Sequence, residues 1–127
     1  MTNSRALTLE DQRAFGLKVL NALICLFIPL VGLSAFLNGG PWIGLSLAVA
    51  ALAGASLLMT RVGGAAARLT LGVALMGAVS LLVAAFAGAP WQVDMHMAYF
   101  AALATLIVFC DWRAIVAGAG TVAVHHL

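Results

Sequence analysis

Long apolar runs broken by brief polar punctuation dominate this chain. The first, AFGLKVLNALICLFIPLVGLSAFL over residues 14–37, carries Lys18 as its one charge and exceeds the roughly 20 residues a helix needs to cross the hydrocarbon. After the turn NGGP comes a second run at 42–59, rich in Ala, Gly and Ser. A third follows at 71–89, a fourth at 91–110, and a fifth at 114–127 that is shorter than the rest. Ahead of them, residues 1–13 read as a polar lead whose TLEDQRAF has the form of a helix start, with Thr8 as N-cap and Glu10 and Asp11 in the first turn. The expected fold is all-α: a polytopic transmembrane bundle of about five spans at 14–37, 42–59, 71–89, 91–110 and 114–127. Pro29 predicts a kink in the first span, since it leaves the Cys25 carbonyl without its usual donor. TRVGGAAARLT, residues 60–70, reads as a polar connection carrying Arg61 and Arg68, and DWR at 111–113 as a tight turn.

Composition agrees with a lipid bilayer as the main partner. The chain is 65% hydrophobic and only 8% charged, against about a quarter charged in soluble domains. Six cations and four anions are too few for a nucleic-acid surface. Neither Cys25 nor Cys110 sits in an extracellular loop setting, so both read as small buried residues rather than a disulfide. The start is too polar for a signal peptide. Trp42, Trp91 and Trp112 read as interfacial anchors, and Tyr99 and Phe100 as packing residues. Small-xxx-small spacing at Ala50 and Gly54 suits close helix contact.

The cations set the orientation. Arg5, Arg13 and Lys18 flank the first span, Arg61 and Arg68 lie between the second and third, and Arg113 lies between the fourth and fifth. These are alternate loops, so all six share one side, and the positive-inside rule makes that side the cytoplasm, with the N-terminus on it. The opposite face collects Asp94, His96, His125 and His126. Counted from Trp112, His96 lies sixteen residues before and His126 fourteen after, so their depths differ by only about 3 Å at helical rise. They can be neighbours across an antiparallel pair. Asp94 is turned some 200° from His96 on an ideal helix, so both could hold one ion only if that helix starts irregularly.

Ionisable residues at membrane depth point to function. Imidazoles suit copper, zinc or iron, and a thioether from Met95 or Met97 would favour Cu(I). Axial ligation of haem by His96 and a histidine of the fifth helix is a second option, and simple contact with headgroups and water a third. No HExxH, no CxxC and no serine nucleophile beside a base is present, so no enzyme is expected.

The phrases DMHMAYFAALA, DWRAI and HHL resemble the membrane-embedded N-terminal sensory region of some bacterial methyl-accepting chemotaxis proteins, also similar to that of some sensor histidine kinases and diguanylate cyclases. The specific similarity covers about 38 positions from Pro90 on; before them only the pattern of spans is shared. The resemblance implies that Asp94, His96, His125 and His126 belong to a sensory site. It also implies a homodimer in the bacterial inner membrane and a cytoplasmic signalling module, which here would lie outside the chain. In that family a further helix and a coiled coil follow the double histidine, so the chain is expected to be truncated. The alternatives are a small transporter or channel-like protein with a His/Asp cation entry site, with Asn21, Ser80 and Thr105 as its inner polar groups, or a structural membrane fragment that binds nothing.

Overall fold

The computed structural model describes residues 6–127, all of whose regular elements are helices; Arg5, one of the cations used to orient the chain, lies outside the described residues. The first helix, α1, runs Leu9–Leu37. It starts where Thr8 and Asp11 close a reciprocal capping box: the Asp11 N–H donates to Thr8 Oγ1 at 3.2 Å, and the Thr8 N–H donates to Asp11 Oδ2 at 3.0 Å. Gln12 and Arg13 are therefore inside the helix rather than in a lead. Pro29 also lies within it, without ending it.

Helix α2 (Trp42–Val62) follows the turn at 38–41, and α3 (Gly64–Ala85) begins almost at once. The polar connection expected at 60–70 shrinks to a break at Gly63 and Gly64, whose φ values of 73° and 65° are in the left-handed region that glycine tolerates. Arg68 accordingly sits in a helix and not in a loop, and the third helix begins and ends earlier than its expected 71–89. The fourth expected span is three pieces: α4 (Gln92–Met95), α5 (Met97–Thr105) and a 3-10 turn at Leu106–Phe109. Helix α6 (Trp112–His125) completes the bundle.

Four stretches are long and apolar enough to cross a membrane: α1, α2, α3 and the composite Gln92–Phe109. Helix α6, at 14 residues, is about 21 Å long by helical rise and shorter than the hydrocarbon. Helix α3 is the central element, packed against α1, α2, α5 and α6. Its Leu71, Leu75, Met76 and Val79 are fully buried together with Leu20, Ile24 and Val31 of α1 and Leu106 and Phe109 of the 3-10 turn. Phe15, Leu26, Leu33 and Leu37 of α1 and Ile43, Leu47 and Leu58 of α2 face outward, as lipid-facing side chains do.

One end of the bundle is built from charges. The 3-10 turn leaves the carbonyls of its last residues without helical partners, and α1 supplies donors. Gln12 Nε2 donates to the Val108 carbonyl at 3.2 Å and Arg13 Nε to that of Phe109 at 2.9 Å. Cys110 follows with φ 47°, a left-handed value unusual for a residue other than glycine. Its carbonyl accepts from Arg13 Nη2 at 3.4 Å, and its sulfur from Gln12 Nε2 at 3.3 Å. Both cysteines are free, and Cys110 is exposed, unlike the buried residue expected. Asp111 then caps α6, accepting from the Arg113 N–H at 3.1 Å. It also receives Arg68 Nε at 2.9 Å, with only 8% and 3% of the two side chains exposed. The Arg113 guanidinium beside it holds the Asp111 carboxyl down to about 2, against the opposing effect of burial and with help from Arg68.

Candidate functional site

The opposite end gathers the aromatic and imidazole rings. His96 occupies the junction between α4 and α5, and His125 and His126 end α6. Antiparallel packing of these elements sets the His96 and His126 ring centres 5.6 Å apart, and those of His125 and His126 5.1 Å apart. Tyr99 lies among them, its ring centre 6.0 Å from His96, 6.1 Å from His125 and 5.7 Å from His126. Equal depth, inferred from counting residues about Trp112, is thus matched by contact.

Asp94 stands two residues before His96, on α4. It is exposed, and among the described residues no hydrogen bond or ion pair ties its carboxylate to a histidine. The break at His96 provides the irregular helix start that co-ligation by Asp94 would require. No set of three or more His, Cys, Asp or Glu side chains converges as a metal cage among the described residues. What converges is a pair, His96 and His126, with His125 beside it.

The pair has a defined chemistry. His96 Nδ1 lies 2.9 Å from the Gln92 carbonyl and His126 Nδ1 2.8 Å from the Val122 carbonyl. A carbonyl oxygen can only accept, so each Nδ1 must carry the proton and donate it. In the neutral ring this tautomer leaves the lone pair on Nε2, the nitrogen through which imidazole would then bind a metal. Both bonds run back four residues along the helix, which fixes ring orientation from within one element.

Tyr99 is the residue whose role the sequence does not reveal. It is 6% exposed, and its hydroxyl donates to Ser80 Oγ on α3 at 2.8 Å. Ser80 passes the bond on to the Met76 carbonyl at 3.0 Å. The Tyr99 ring is thereby fixed against the central helix and forms a floor for the histidines, where a purely packing residue was expected. Phe100 is exposed instead. The only advance signal was a tyrosine three residues after a histidine, on one helix face.

Between α5 and α6 the rings border a cavity of about 240 Å³ lined by His96, Tyr99, Phe100, Leu103, Val122 and His126. It is smaller than the roughly 300–1,000 Å³ of sites for drug-sized ligands.

No family model, curated protein or solved structure matches the chain. The chemistry of the site therefore rests on its own residues. Two imidazoles at the rim of an apolar cavity can share a proton or place two nitrogen donors on one cation.

A second polar group lies inside the bundle toward the charged end. Asn21 Nδ2 donates to the Leu17 carbonyl at 2.9 Å and to Thr60 Oγ1 at 2.8 Å. Thr60 bonds in turn to the Ser56 carbonyl. Asn21 Oδ1 is buried without a protein donor among the described residues. Asn21 ties α1 to α2 and touches neither the histidines nor Ser80.

Proposed function

We propose that the chain is the sensory input module of a bacterial inner-membrane signalling receptor of the chemotaxis type, non-enzymatic, which captures a transition-metal ion between His96 and His126. The carrying observation is the paired rings 5.6 Å apart, each with Nδ1 donated to its own helix. A metal–nitrogen bond of about 2.0 Å, with about 1 Å more to the ring centre, puts an ion roughly 3 Å from each centre. Two rings sharing one ion then stand up to about 6 Å apart, and the observed spacing falls within that range. The cavity volume favours a bare ion over haem. Copper, zinc and iron all accept imidazole. Four apolar stretches of spanning length support a membrane location. Arg13, Arg68 and Arg113 meet at the end away from the histidines, which supports a periplasmic site under the positive-inside rule. The likeness of DMHMAYFAALA, DWRAI and HHL to chemotaxis-receptor input regions supports the signalling role.

The transporter alternative requires polar groups across the full depth. Along the buried face of α3, Leu71, Leu75 and Met76 are fully buried between Arg68 and Ser80, and Asn21 is separate from the histidines. The ion site therefore reads as a sensor rather than the mouth of a path.

The test is elemental analysis of the detergent-purified chain without a histidine tag, titrated with Cu(I) and with Zn(II), beside the double variant His96→Ala, His126→Ala. One metal per chain in the parent and none in the variant is expected. Equal metal content in the two would remove the basis of the proposal. His125→Ala should retain the ion, and loss on that change alone would shift the site to the His125–His126 pair.

A further inference from the structure

We propose that α6 is a lever, pinned at its Asp111 end and free to swing at its histidine end, so that an ion held between His96 and His126 fixes α6 in the closed position seen here. This rests on the metal reading above for its trigger, but the lever itself rests on packing.

The inward stripe of α6 consists of residues four apart: Ala114, Gly118, Val122 and His126. The first two are buried, Val122 is half-buried and His126 is exposed. Contact with α3 is closest at the start of the stripe. A Cβ added to Gly72 would fall 2.7 Å from the Ala114 carbonyl oxygen, so the two helices approach there without room for a methyl group. At Gly118 an added Cβ would come within 2.9 Å of Leu106 and 3.2 Å of Met76. The Arg68–Asp111 pair lies at the same end, with its charges buried and bonded at 2.9 Å. Beyond Gly118 the packing opens into the 240 Å³ cavity between α5 and α6. Tight contact at one end and open space at the other make the histidine end the part of α6 that opens at least cost.

His96 stands on the α5 side of this cavity and His126 on the α6 side. Their ring centres already stand 5.6 Å apart, so one ion between them ties the far end of α6 to α5 in this position, while Gly72 and Asp111 hold the near end. A ligand shifts such an equilibrium only through its stronger interaction with the closed form, and two-ring ligation provides that difference.

The experiment is a pair of spin-label distance measurements in lipid nanodiscs, on the full chain with Cys25→Ala and Cys110→Ser. Labels go on exposed α6 positions, Val116→Cys or Val124→Cys, each against Leu58→Cys on α2, all three being outward-facing. Zn(II), which is diamagnetic, is the probe. Zinc should narrow the Val124 distribution, drawing in components displaced by roughly 2 Å, the scale of helix shifts in switching proteins. The Val116 distribution should stay unchanged. If zinc is retained and both distributions narrow together, or neither narrows, the lever is overturned while the metal site stands. If no zinc is retained, the clamp fails, and the metal reading then stands or falls on the Cu(I) titration. Gly72→Ala gives a further check, since displacing the pinned end should broaden the Val116 distance without zinc; an unchanged distribution there would overturn the pin.

Discussion

At the residue scale, three bonds define the histidine end. The backbone bonds of His96 and His126 select a tautomer, and the Tyr99 hydroxyl, bound to Ser80, holds the ring beneath them. Tyr99→Phe should lower stability by about 1 kcal/mol, the net value of one hydrogen bond. Ser80 keeps its bond to the Met76 carbonyl, so no buried group is stranded by the change. Chemical denaturation in detergent would measure the loss, and zinc content should stay at the parent level because the ring is retained. A fall in zinc content would mean that the hydroxyl, not the ring, positions the histidines. Sequence placed three histidines at one depth by counting residues. It could not place the Tyr99 ring among them, because that depends on the rotation of α5 against α3 and α6.

At the scale of elements, small residues separate into two populations that look alike in sequence. Gly72 on α3 meets the backbone of α6, whereas Gly54 on α2 has open space where a Cβ would go. Gly72→Ala should therefore destabilise the bundle by about 1–3 kcal/mol, the range for forcing extra volume into a packed core. Gly54→Ala should be neutral, or stabilising by up to about 1 kcal/mol from reduced backbone freedom. Thermal unfolding in detergent distinguishes the two. Marked destabilisation at Gly54, growing with protein concentration, would instead indicate a helix–helix contact between two copies through α2. The helix boundaries illustrate the same difficulty. Thr8 and Asp11 announce the start of α1 with standard capping chemistry, and that start is where it was expected. The α2–α3 connection was overestimated because Arg61, Arg68 and the neighbouring glycines look like a polar loop, whereas the structure needs only Gly63 and Gly64 to turn.

At the scale of the molecule, the cations sort to one end and the histidines to the other, with α3 running between them. Asp111 is the centre of the charged end, joining α3 through Arg68 and capping α6. Asp111→Asn would leave the Arg68 guanidinium buried without its counter-charge, a loss of roughly 3 kcal/mol by analogy with broken buried pairs. The pH dependence has a definite sign. The carboxyl is depressed from 3.8 to about 2 in the folded chain, so its stabilisation is complete above about pH 4 and fades as pH falls toward 2. Denaturation midpoints recorded between pH 5 and pH 2 should show that decline in the parent and a flatter profile in Asp111→Asn. A parent profile as flat as the variant's would mean that the Asp111 pairing does not contribute to folding.

The amino-acid sequence by itself determined the class of the protein, because hydrophobic run lengths and low charge reflect the solvent more than any particular contact. It also determined that cations and histidines lie at opposite ends, since short connections between long apolar helices force alternation. Tertiary structure decided the rest. It decided that Arg68 is buried against Asp111, that Tyr99 belongs to the histidine group, and that the fourth helix breaks at His96. Each of these depends on the rotation of one helix relative to another and on a few ångströms of packing, and neither quantity is written in the spacing of residues along the chain.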